Sequence, residues 1–165
     1  MSKSENDLKE AFAGESQANR KYLAFAKKAD EEGYKQAAKL FRAAAQAETI
    51  HAHNHLRALS GIRGTKENLQ EAISGETHEF KNMYPQMIED AKQEGNKEAL
   101  LSFAYANQVE KIHAGLYTKA LENLEKEAEV TYYVCPICGH TVENSAPDNC
   151  PICNKASAKD FIKID

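Results

Sequence analysis

Apolar residues in this chain come in short groups, never in long runs, and their neighbours change character partway along. From residue 4 to about 128 they sit among Ala, Glu, Lys, Gln and Leu, with one proline, Pro85, and few β-branched runs. These are good helix formers, and four helices are predicted. The first covers about Ser4 to Glu32, with Ser4 and Asp7 as a variant capping box, and stops at Gly33. The second covers about Tyr34 to Ser60 and stops at Gly61. The third starts near Glu67 with Thr65 as N-cap, ends before Gly95 and is bent at Pro85, which lacks a backbone donor. The fourth runs from about Asn96 to Lys126. Such lengths predict a bundle with extended packing. Past residue 130 the pattern becomes strand-like: Thr131-Tyr-Tyr-Val134 is β-branched and aromatic, three more prolines follow, and Asp160-Phe-Ile-Lys-Ile164 reads as a closing strand. A boundary near Glu129 separates a helical domain, 1–129, from a small β-rich domain, 130–165.

The helical part repeats itself. Glu48-Thr-Ile-His51-Ala recurs as Glu110-Lys-Ile-His113-Ala 62 positions later, and Gly33 and Gly95 are also 62 apart. Gly14-Glu15-Ser16 recurs as Gly75-Glu76-Thr77 after 61 positions. The first two helices therefore form one hairpin and the next two a second copy. Glu48 and His51, like Glu110 and His113, are three apart and project from one helix face. Glu15 and Glu76 add a carboxylate from each remaining helix, and Glu79 follows Glu76 on the same face. A single Glu-x-x-His is usually a solvated pair. Two copies at the repeat spacing stand beside apolar stripes that include Phe12, Ala45, Phe103 and Val109. Unpaired carboxylates there are costly, so a pair of cations is the natural partner. Two lone Glu plus two Glu-x-x-His motifs is the donor set of ferritin-like dimetal carboxylate proteins, and imidazole suits iron. His53, His55, His78 and His140 have no repeat partner and are expected in solvent. Tyr22, two turns after Glu15, is placed either to hydrogen-bond a carboxylate or to pack in the core. Tyr84 and Tyr105 are weaker candidates of the same kind.

All four cysteines lie between Cys135 and Cys153, as Cys135-Pro-Ile-Cys138-Gly and Cys150-Pro-Ile-Cys153-Asn. Two such turns present four thiolates tetrahedrally to iron or zinc, and spacing alone leaves that choice open. Gly139 and Asn154 both tolerate the positive φ that turns backbone N–H groups toward sulfur.

The 165 residues suit one domain with a small appendage. A net charge of −4 without a basic block argues against nucleic acid. No apolar run is long enough to span a membrane, and MSKSENDLKEAF lacks the apolar stretch of a signal peptide. A cytoplasmic location is expected.

The segments AFAGESQANRKY, AETIHAHNH, GETHEFKNMYP, EKIHA and CPICG…CPIC together resemble the rubrerythrin family over nearly the whole chain. The resemblance implies an all-α four-helix ferritin-like bundle followed by a small β-rich rubredoxin-like four-cysteine domain. It implies a di-iron peroxidase that reduces hydrogen peroxide to water in oxidative-stress defence. Glu15, Glu48, Glu76, Glu79, Glu110 and His113 would hold two iron ions, with Glu48 and Glu110 bridging. His51 would replace Glu79 on one iron upon reduction, so His51, Glu79 and Tyr22 are the catalytic candidates. Cys135, Cys138, Cys150 and Cys153 would hold one relay iron, with zinc as a possible substitute. Asn154 departs from the usual knuckle glycine. No NADH-binding motif is visible, so an external donor is expected, such as a rubredoxin or an NAD(P)H-dependent reductase. The seven residues Gly61 to Glu67 reach roughly 25 Å, short of the roughly 40 Å of a helix of about 27 residues. In the ferritin-like topology the link must run that length, which predicts a homodimer with exchanged hairpins. An up-down-up-down monomer is the alternative. The rival function is a ferroxidase or iron-handling protein whose four-cysteine site is structural.

Overall fold

The computed structural model describes residues 2–126 and 129–164. They fall into two compact units, Met1–Arg63 and Gly64–Asp165. The expected domain boundary near Glu129 adjoins residues 127 and 128, which lie outside the described residues.

The first unit is a hairpin of α1 (Lys3–Glu31) and α2 (Lys35–Ala58). Its N-terminal cap lies two residues earlier than expected. Ser2 Oγ accepts from the Glu5 N–H, and Glu5 returns its carboxylate to the Ser2 N–H. A Glu three residues after the cap has the reach that Asp7 lacks relative to Ser4. Gly33 turns the chain at φ +85°, a conformation that favours glycine. The helices meet through small residues, Ala26, Ala29, Ala38, Ala45 and Ala52, all buried. Buried Asn19 joins them: its Nδ2 donates to the Ala45 carbonyl and to Thr49 Oγ1, each at 2.7 Å. Asn19→Ala removes both bonds across the hairpin, leaving the Ala45 carbonyl with the Thr49 hydroxyl, and is expected to destabilise the protein by about 1–3 kcal/mol, read as a lower urea midpoint at unchanged slope. Large apolar side chains, among them Leu23, Phe25, Leu40 and Ile50, remain exposed on this unit.

The second unit starts with α3 (Thr65–His78), a π-turn (Glu79–Met83) and α4 (Tyr84–Gln93), and returns along α5 (Lys97–Glu122). Thr65 is the first helical residue here and not the cap; extended Gly64 precedes it without a side-chain cap. Gly95 makes the turn at φ +68°, matching Gly33. The helix break lies upstream of its expected place. The ladder already slips at Glu79, whose carbonyl accepts from the Tyr84 N–H five residues on, and Pro85 sits in the first turn of α4. The repeat explains the slip. Its offset is 61 at Gly75 and 62 at Gly95, so the second copy carries one extra residue between them, which a π-turn absorbs.

After α5, strands β1 (Tyr132–Val134), β2 (Thr141–Glu143) and β3 (Ile162–Ile164) form an antiparallel sheet in the order β2-β1-β3. Cys135, Cys150, Cys153, Ala156 and Phe161 form its core, and Tyr105 of α5 packs against them. Among the described residues no helix is long and apolar enough to cross a membrane.

Candidate functional site

Each hairpin assembles one carboxylate–histidine set. In the first, Glu15 from α1 meets Glu48 and His51 from α2, and one ligand atom from each lies within 4.8 Å of the others. Asn19, one turn after Glu15, is bonded to Ala45 and Thr49 on either side of Glu48, so the staple sets the register of the donors. His51 Nδ1 lies 2.8 Å from Glu48 Oε2 and 3.7 Å from Glu15 Oε1. The His51 side chain is 52% exposed.

The second set repeats this geometry. Glu76 from α3 meets Glu110 and His113 from α5, again within 4.8 Å. His113 Nδ1 lies 2.8 Å from Glu110 Oε2 and 3.9 Å from Glu76 Oε1. This set is more enclosed, with the His113 side chain 27% exposed. Burial, and then the charges of Glu110 and Glu79, push Glu76 up to about 7. Burial and Glu110 also raise Glu79, against an opposing pull from His78 and His113. Glu79 therefore feels the set electrostatically while standing outside its tight cluster. Tyr84 and Tyr117 are raised by burial and by the same carboxylates. Crowded, partly buried carboxylates with imidazole beside them suit divalent or trivalent cations.

The sign of the pH effect follows. Unfolded Glu76 loses its proton near 4.5, whereas the folded group keeps it to about 7. The resulting stabilisation is complete below the lower value and lost as pH rises through the upper one. The melting temperature of the metal-free protein is expected to fall from pH about 5 to pH about 7.5, and Glu76→Gln to flatten that slope. Metal affinity is expected to rise over the same range, because binding displaces the proton.

The four sulfurs lie within 4.8 Å of one another, with Cys135 and Cys153 Sγ atoms 3.8 Å apart and Cys138 and Cys150 Sγ atoms 3.5 Å apart. A disulfide needs about 2.05 Å, whereas sulfurs on a tetrahedral metal at about 2.3 Å lie about 3.8 Å apart. The spacing fits the metal. Gly139 at φ +80° and Asn154 at φ +53° adopt the expected turn. The His140 and Lys155 amides then reach Cys138 and Cys153, and the Ile137 and Cys138 amides reach Cys135. Burial pushes the Cys138 thiol up despite its amide contact. At Cys153 burial also pushes upward, but the Lys155 amide and the neighbouring thiols outweigh it and hold the group at about 7.

Tyr22 packs with Phe25 and Phe41, at ring-centre distances of 6.4 and 6.2 Å. Tyr105 lies against the cysteine core, and Tyr84 is 6.3 Å from Phe103. His140 corrects the expectation of solvent. It is buried, its carbonyl is held by the Cys135 N–H, and its ring meets Phe161 edge-on at 6.4 Å. The bond from Cys135 and the packing against Phe161 hold this residue inward. Tyr117 and Thr141 were not singled out in the sequence. Tyr117 stands seven residues after Glu110, a spacing that puts it on that face. Thr141 Oγ1 lies 2.9 Å from His113 Nε2, a contact without a local sequence signal.

Comparisons with known proteins agree with this geometry. The model of the rubrerythrin family matches residues 6–121, and that of the rubrerythrin rubredoxin-like domain matches residues 133–161. The chain is 37% identical to rubrerythrin-2 of Clostridium acetobutylicum, over 88% of this chain and 89% of that one. It is 36% identical to nigerythrin of Nitratidesulfovibrio vulgaris, over 89% and 80%. Among solved structures it is similar to fully reduced, all-ferrous nigerythrin, with a TM-score of 0.61 and 32% identity over 99% of this chain and 88% of the other. With two carboxylate–histidine sets, a four-cysteine site and these relatives, the chain belongs to the rubrerythrin family.

Proposed function

We propose that this protein is a non-haem di-iron peroxidase that reduces hydrogen peroxide to water. One observation carries the reading: two carboxylate–histidine sets of the same build occur with a four-thiolate site, and that site's module is hydrogen-bonded to one of the sets through Thr141 and His113. Iron held by these donors would supply the two electrons that each peroxide takes up, and iron on the four cysteines would supply one-electron redox chemistry beside it. Glu15, Glu48, Glu76, Glu110 and His113 would hold the pair, with Glu79 and His51 as alternating donors, and zinc would fit the four cysteines as a redox-silent substitute. Each peroxide consumes two protons, and the Glu79 carboxyl, raised by burial and by Glu110, is suited to hold one on its oxygen. His51 is half exposed and bonded only through Nδ1 among the described residues, so its ring is free to reorient. His51→Ala is expected to slow turnover at least about tenfold, with iron content retained.

Each set offers three clustered donors, and a metal pair needs both. The link from Leu59 to Gly64 spans roughly 20 Å, while the 24 residues of α2 span about 36 Å. A homodimer in which one chain's first hairpin completes the other chain's second hairpin meets both conditions. It also covers the exposed Leu23, Phe25, Leu40 and Ile50. A species of about 18 kDa in sedimentation would overturn the exchange. Reduced thiolates suit the cytoplasm, where a rubredoxin or an NAD(P)H-dependent reductase would serve as donor.

Rapid mixing of the anaerobically reduced, iron-loaded protein with peroxide, and separately with dioxygen, tests the activity. Faster reoxidation by peroxide, with the cysteine-bound iron oxidised in the same reaction, is expected. Faster reaction with dioxygen, or a cysteine site that stays redox-silent, would move the protein to iron oxidation.

A further inference from the structure

The two sets match on the Nδ1 side of their histidines and differ on the Nε2 side. His51 and His113 each hold a Glu oxygen 2.8 Å from Nδ1. At Nε2, His51 has no hydrogen-bond partner among the described residues, whereas His113 meets Thr141 Oγ1 at 2.9 Å. The Thr141 hydroxyl also donates to the Gly139 carbonyl at 3.0 Å. A hydroxyl has one hydrogen to give. With that hydrogen on Gly139, the Thr141 oxygen is left to accept, so Nε2 of neutral His113 must carry the proton. Nδ1 is then the atom left to a cation seated between Glu110 and Glu76; without a cation, its 2.8 Å contact with Glu110 Oε2 calls for a hydrogen of its own. Thr141 is itself fixed: β2 pairs it with Val134 of β1, next to Cys135, and Glu143 on the same strand forms an ion pair with Lys119 of α5.

We propose that Thr141 is a positioning residue through which the four-cysteine module holds His113 in the Nε2–H tautomer and in one ring orientation. The proposal rests on the reading of His113 as a metal donor, and it gives the two hairpins different duties. The second set has a histidine locked for permanent ligation, and the first has one left free to turn. The covalent repeat supplies identical donors, and the asymmetry comes from the module appended after the second copy. The partner of a ligating histidine's second nitrogen sets its tautomer and its basicity.

The test compares wild type, Thr141→Val and Thr141→Ser as full-length proteins. Ring nitrogen shifts of His113 in the metal-free protein, at pH about 8 and so above the ordinary imidazole range, report the tautomer. Wild type and Thr141→Ser are expected to keep a proton on Nε2, and Thr141→Val to shift toward the Nδ1–H form that Glu110 alone favours. Cobalt(II) affinity of the carboxylate–histidine centre is expected to fall about 10–100-fold in Thr141→Val and to recover in Thr141→Ser. The thiolate absorption of the cobalt-loaded cysteine site, unchanged in both, shows that the module is still folded. An unchanged His113 tautomer in Thr141→Val would overturn the proposal. Because that reading needs no metal and no turnover, it stands apart from failure of the peroxidase assignment, which would appear in the mixing experiment with the tautomer intact.

Discussion

Glu110→Ala is expected to abolish the metal pair and with it peroxide turnover, while leaving the fold and the cysteine site in place. Glu110 lies at the electrostatic centre of the second set. Its oxygen is 2.8 Å from His113 Nδ1, and its charge raises Glu76, Glu79, Tyr84 and Tyr117. Outer partners of metal ligands cost about 10–100-fold when removed, so loss of a central carboxylate is expected to cost at least about a hundredfold in turnover. The stability effect runs the other way without metal. Burial still raises Glu76, but without Glu110 it loses one of the charges that push it up, and less like charge is packed beside Glu79. Metal-free Glu110→Ala is therefore expected to melt higher than metal-free wild type, and to gain less from added iron. Iron per chain, turnover and melting with and without metal measure all three effects. Full turnover in Glu110→Ala would place peroxide chemistry elsewhere. Glu48→Ala should behave alike, since Glu48 bears the same relation to His51 in the first hairpin.

What the sequence made legible is what leaves a local or periodic trace. Gly33 and Gly95 lie at the helix turns because positive φ selects glycine there. Glu48 with His51, and Glu110 with His113, were visible because three residues on a helix bring side chains together and the spacing recurs. The cysteine turns were visible because two short motifs encode their own geometry, down to the positive φ of Asn154. Contacts between distant segments left no such trace. Nothing near Thr141 points to His113, 28 residues earlier, and nothing near Glu143 points to Lys119. The inward turn of His140 depends on packing against Phe161. One hidden feature did leave a mark, the change of repeat offset from 61 to 62. Both offsets were read without the inserted residue they imply, and Pro85 supplied an apparent reason for a bend a few residues too late.

That extra residue carries the second large prediction. Deleting Asn82, an exposed residue of the π-turn, is expected to restore a regular ladder and a constant repeat offset. Each α-helical residue advances about 100° around the axis, so everything before the deletion turns by about that angle relative to everything after it. The C-terminal side is anchored: Ala91 is buried, and Tyr84 lies 6.3 Å from Phe103 of α5. The rotation therefore falls on α3, and Glu76 and Glu79 turn away from Glu110 and His113. A misplacement of about 1 Å already costs about a hundredfold in catalysis, and a rotation of this size moves a carboxylate by several times that. Turnover and the metal pair are expected to be lost, while helix content and the absorption of the cysteine site persist. Asn82→Ala keeps the chain length and is expected to keep the metal pair, which separates the length of the turn from the side chain of Asn82. A deletion variant with a full metal complement would show that the π-turn does not aim the third helix. The extra residue would then be a tolerated insertion, and Glu76 would owe its position to packing along α5 alone.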